Sequence, residues 1–126
     1  MIKVLVIDDN DALRKLVAKM LTSNGFEVIT AANGKQGVDL YREQSPDLVI
    51  TDVIMADMDG VEVIAALRKI APEAKIIVMS GGGQAGSGED YLRSIDLILN
   101  TPYNLAKPFA MDDLLKMVNK TLEGQL

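Results

Sequence analysis

The sequence contains no cysteine, no histidine and no tryptophan. Without cysteine there are no disulfides, no thiolate nucleophile and no cysteine-ligated zinc. Without histidine there is no His-type zinc site, no His-dependent hydrolytic triad and no phosphohistidine on this chain. Aromatic residues are scarce, three Tyr and two Phe, and acids outnumber bases 18 to 13 for a formal charge of −5. That composition lacks the basic surface and stacking platforms of a nucleic-acid binder, so no direct nucleic-acid contact is expected. The longest apolar runs have four or five residues, far below the roughly 20 needed to span a bilayer. Met1 leads straight into the first apolar run, and no segment reads as a secretory signal. The expectation is a cytoplasmic protein with no membrane contact.

What is present is an alternation. The 126 residues fit one domain, which buries about two-thirds of its unfolded surface and needs no staple to fold. Strands are predicted over 2–7, 26–31, 48–51, 75–79 and 103–106. Most are continuous Val/Ile/Leu runs, as in parallel strands covered on both faces; the fifth is assigned mainly from its place in the alternation. Leu13, Leu16, Val17, Met20 and Leu21 form an apolar helical stripe closed by Gly25. Asn33 with Gln36 reads as a capping box opening a second helix. Further helices are predicted over 60–70, 89–99 and from Asp112 onward. Five βα units with right-handed crossovers make a doubly wound α/β domain.

The chemistry gathers at strand ends. The first strand runs into Asp8, Asp9 and Asp11, and the third into Asp52. In a five-stranded parallel sheet of flavodoxin-like order 2-1-3-4-5, strands 1 and 3 are neighbours beside the switch point where ligands bind. Strands lie about 4.8 Å apart, so Asp8, Asp9 and Asp52 can face one small volume. Clustered carboxylates repel, and partial burial raises the cost of ionising them. A hard divalent cation, Mg²⁺ before any transition metal and Mn²⁺ as its substitute, offsets that cost. An Asp at a strand end is also ordinary N-cap chemistry; the third acid on the adjacent strand is what argues for a site. Ser80 and Lys107 end strands 4 and 5 and add a hydroxyl and a mobile positive charge, both suited to a phosphoryl group.

With "IDDND" after strand 1, "TDVIMADMDG" at strand 3, "VMSG" at strand 4 and "LAKPF" at strand 5, the chain resembles the CheY-like receiver domains of two-component response regulators over essentially its whole length. The resemblance implies one receiver domain over 1–126, with no effector domain in this chain. It implies that Asp52 accepts a phosphoryl group from a phosphohistidine on a sensor histidine kinase or phosphotransfer protein. It implies Mg²⁺ held by Asp8, Asp9, Asp52 and the main-chain carbonyl of Ile54, with Ser80 and Lys107 on the phosphoryl oxygens. Its chemistry would be limited to its own phosphotransfer and dephosphorylation. Output to a downstream protein, an effector domain or a homodimer partner is expected through the fourth helix, strand 5 and the fifth helix. The glycine-rich stretch 80–88 is expected to order on phosphorylation. Asn104 stands where the family usually carries an aromatic or β-branched switch residue, with Tyr103 one place earlier as a candidate substitute. Ile54 and Gly82 offer no polar side chain to orient water, which implies slow self-dephosphorylation.

A second reading from another class is a small Mg²⁺-dependent phosphatase of the haloacid-dehalogenase type, with Asp9 as nucleophile and Asp11 as general acid. Leu13 stands where that motif wants Thr or Val, and glycines stand where an extra acid pair after strand 4 belongs.

Overall fold

Five short apolar segments pair side by side into one parallel sheet: β1 (Lys3–Ile7), β2 (Glu27–Ala31), β3 (Leu48–Asp52), β4 (Ile76–Gly81) and β5 (Tyr103–Lys107). The order is β2-β1-β3-β4-β5, as expected from the alternation. The computed structural model describes residues 1–52, 60–81 and 101–124. The helices among them are α1 (Asp11–Ser23), α2 (Gly34–Gln44), α3 (Gly60–Ile70) and α4 (Met111–Glu123). The helix predicted over 89–99, Ile54 and the stretch 82–88 lie outside the described residues. Among the described residues no helix is long and apolar enough to cross a membrane.

Strand periodicity sorts the core into two layers. Val4, Val6, Leu48, Ile50, Ile77, Met79 and Leu105 pack with Val17 and Leu21 of α1 and Leu114 and Val118 of α4. Leu5, Ile7, Val49, Ile76 and Val78 pack on the other face with Val38 of α2 and Val63, Ile64 and Leu67 of α3. Most of these side chains are fully buried, and each contributes about 1.5–3 kcal/mol relative to exposure. This two-sided burial is why the strands read as continuous apolar runs.

Local signals set the helix ends. Asn10 caps α1, its side chain accepting from the Leu13 N–H at 3.0 Å. At the other end Gly25 takes φ +89°, where the Phe26 N–H returns to the Leu21 carbonyl and the Gly25 N–H to Thr22, a Schellman closure. Asn33 caps α2 through the Gln36 N–H at 2.8 Å, while the Gln36 side chain accepts from the Ala32 N–H rather than from Asn33. α2 lies so close to β1 that a Cβ on Gly37 would fall 2.5 Å from Ile7 Cδ1 and 2.7 Å from Ile7 Cγ1. Only glycine fits that approach.

Candidate functional site

Register and side-chain parity together build the site. Asp52 pairs with Met79, and Lys107 with Gly81. Asp52 and Lys107 are thus the last rungs of their ladders, not loop residues after them. Asp8 follows β1 and extends it, its N–H donating to the Ala31 carbonyl at 3.2 Å. Counting by twos along each strand, Asp8 shares the face of Val4 and Val6, Asp52 that of Leu48 and Ile50, and Lys107 that of Leu105. All three therefore meet on the α1/α4 side of one sheet edge.

Lys107 Nζ donates to Asp52 Oδ2 at 2.7 Å and lies 3.7 Å from Asp8 Oδ2. Asp8 is fully buried, Asp52 nearly so, and Asp9 exposed. Asp8 Oδ1 accepts the Asn10 N–H at 3.0 Å, but buried Asp8 Oδ2 accepts no hydrogen bond. Burial pushes the Asp8 carboxyl above the ordinary aspartate value; the Asn10 N–H and the Lys107 ammonium oppose that rise, and the charges of Asp52 and Asp9 add to it. One carboxylate oxygen from each of Asp8, Asp9 and Asp52 lies within 4.8 Å of the others. An all-oxygen donor set with a buried acceptor lacking a donor fits a hard divalent cation.

The structure thus brings together Asp8, Asp9, Asp52 and Lys107. Ser80, half-buried, ends at the same edge with the opposite parity, paired with Ala106. Tyr103 lies on the opposite face of β5 from position 104. It packs in the α1/α4 cluster beside Leu105, and a one-residue step along a strand reverses the face. Asn104 points to the other side, its Nδ2 donating to the Pro102 carbonyl at 3.4 Å and its buried Oδ1 accepting nothing. Asp11 is held by Arg14 at 2.6 Å with its side chain 74% exposed, so the acid that the phosphatase reading needs is engaged elsewhere and turned to solvent.

Two features were not anticipated. Arg14 reaches back from α1 to the Asp8 main-chain carbonyl at 2.9 Å; only its three-residue spacing from Asp11 hints at this. Beside the acids lies a groove of about 700 Å³ lined by Asn10, Ala12, Leu13, Leu16, Lys107, Pro108 and Phe109. Leu16, expected in the buried stripe of α1, is 48% exposed on it.

A sheet edge with this order and these carboxylates, facing a strand-end lysine, is the architecture of phosphoacceptor signalling domains. The response regulator receiver domain matches residues 4–119, and the chain belongs to that family. It is 36% identical over 121 residues to the chemotaxis protein CheY of Bacillus subtilis, covering 95% of this chain and 97% of that protein. It is 29% identical to sporulation initiation phosphotransferase F of the same organism, covering 95% and 93%. Among solved structures, chemotaxis protein CheY4 of Vibrio cholerae matches with a TM-score of 0.86 and 28% identity over 96% of this chain and 98% of that one. The role is that of a phosphoacceptor in two-component signalling rather than of a classical enzyme, and the phosphatase alternative is not favoured.

Proposed function

We propose that Asp52 is the phosphoacceptor. One carboxylate oxygen attacks the phosphorus of a partner's phosphohistidine, the P–N bond breaks toward the imidazole, and an acyl phosphate remains on Asp52. Asp8, Asp9 and Asp52, with the main-chain carbonyl of Ile54, would hold Mg²⁺. When bound, the ion neutralises charge on the phosphoryl oxygens. The single observation that carries this reading is the 2.7 Å contact of Lys107 Nζ with Asp52 inside the three-carboxylate cluster. A carboxylate attacking an anionic phosphoryl group needs a cation nearby, and Lys107 holds one beside Asp52. Ser80, at the same edge, donates to a phosphoryl oxygen once the group arrives.

The same reading extends to partners. The groove along Leu13, Leu16 and Phe109 opens beside Lys107, so an apolar helix of the phosphodonor seated there brings its phosphohistidine to Asp52. Output runs through β5, α4 and the segment between β4 and β5, to a downstream protein, an effector domain or a second copy of the chain. Self-dephosphorylation is slow, the domain acts in the cytoplasm, and residues 1–126 act as one receiver unit.

Intact mass after incubation with acetyl phosphate tests the central claim. A gain of one phosphoryl group that requires Mg²⁺ and disappears in Asp52→Asn is expected. Mg²⁺-dependent phosphate release that survives Asp52→Asn and fails in Asp9→Asn would overturn it.

A further inference from the structure

The orientation of the acid cluster depends on one peptide plane, the one between Asp8 and Asp9. The torsions on either side of that plane, ψ of Asp8 and φ of Asp9, set how the Cα–Cβ bonds of the two acids stand relative to each other. β1 ends at Ile7 and α1 begins at Asp11, so this peptide lies between the two elements. Its carbonyl is nevertheless held. Arg14 Nη1 donates to the Asp8 carbonyl at 2.9 Å, and Nη2 is anchored on Asp11 Oδ1 at 2.6 Å. The Arg14 side chain is only 13% exposed, unusual for an arginine near a surface turn. A planar guanidinium bonded through two arms in different directions is restrained, and it restrains the carbonyl with it.

We infer that Arg14 is a positioning residue for the cation site: through the Asp8 carbonyl it sets the direction in which the Asp8 and Asp9 carboxylates face Asp52. The inference rests on the reading that these three carboxylates hold Mg²⁺. The sign of its effect separates it from plain electrostatics. A positive charge near a divalent-cation site repels the incoming ion, so deleting Arg14 would tighten binding if charge were all that mattered. If Arg14 sets the geometry, deletion weakens binding, as loss of an outer support does at metal sites, by about tenfold.

The test is calorimetric titration of the full chain with Mg²⁺ for wild type, Arg14→Met and Arg14→Lys, with folding checked by circular dichroism. The expected result is about tenfold weaker binding in Arg14→Met and a partial loss in Arg14→Lys, which keeps the charge but lacks the fixed fork. Equal or tighter binding by folded Arg14→Met overturns the inference. If Arg14→Met does not fold, Arg14→Lys decides: weaker binding supports the inference, and wild-type affinity overturns it. Wild-type protein that takes up no Mg²⁺ overturns the cation-site reading itself and this inference with it, an outcome distinct from a variant that matches a Mg²⁺-binding wild type.

Discussion

Lys107 Nζ sits 2.7 Å from Asp52 Oδ2, so the ammonium already occupies the space beside the acceptor oxygen. Removing it has opposite effects on two measurable quantities. Lys107→Ala is expected to slow labelling of Asp52 by acetyl phosphate about a hundredfold, the scale for losing one preorganised charge-stabilising donor. Mg²⁺ should bind the variant at least as tightly, because ammonium and metal compete for the same carboxylate. Intact-mass time courses and calorimetry measure the two; a variant labelled at the wild-type rate would remove Lys107 from the chemistry.

Asp8 predicts a pH dependence. Its carboxyl is held above the ordinary value, first by burial and further by the neighbouring acids. The folded state therefore binds a proton there more readily than the unfolded chain. The stability associated with the neutral form is complete below the unfolded value and is lost as pH rises through the folded one. In EDTA at neutral pH, Asp8→Asn should melt above wild type, each kcal/mol raising Tm by about 4 °C in a domain of this size. The gap should close as the pH falls and Asp8 protonates. Saturating Mg²⁺ should reverse the order, since only wild type keeps the full ligand set. Thermal melts across pH, with and without Mg²⁺, check both signs.

Gly37→Ala is expected to destabilise the fold by about 1–3 kcal/mol, the usual cost of overpacking. The new methyl would meet Ile7, whose fully buried side chain would have to shift within the packed core. Ile7→Val should recover part of the loss in the double variant, a coupling that urea titrations of the four proteins of the cycle resolve.

Leu16→Lys tests the groove. The position is half in water, so stability should stay within about 0.5 kcal/mol of wild type. Labelling by acetyl phosphate should be unchanged, while transfer from a phosphorylated histidine kinase that labels the wild type should slow. Equal transfer rates would place the donor on another surface.

Much of this was legible from residue order. Alternating apolar runs and helical stripes gave the topology, because β1, β3 and β4 are buried on both faces and each described helix on one. The strand ends gave Asp8, Asp9, Asp52 and Lys107. The apolar runs stop before the ladders do, however, since backbone pairing ignores side-chain polarity. β3 and β5 therefore extend onto Asp52 and Lys107, and β4 through Ser80 to Gly81. Tyr103, the candidate substitute for the switch residue, lies on the opposite face from position 104, because period-two alternation separates the faces of adjacent residues. Leu16 and Arg14 were not legible: apolarity alone does not say whether a side chain turns to the sheet or to a groove. Nor does three-residue spacing reveal a bond to a strand-end carbonyl.

Leu16 and Val17 are neighbours in sequence with opposite fates, one nearly half exposed and the other sealed. Val17 is constrained by everything packed around it. On the proposed docking of the phosphodonor, Leu16 answers to whatever seats itself on the groove. Its identity can change while the core and the acid cluster stay as they are. If the phosphodonor docks there as proposed, a cell running several such pathways in parallel could insulate one from another by varying this rim, and a designer could rewire it the same way, leaving the acid cluster in place and the folding free energy little changed.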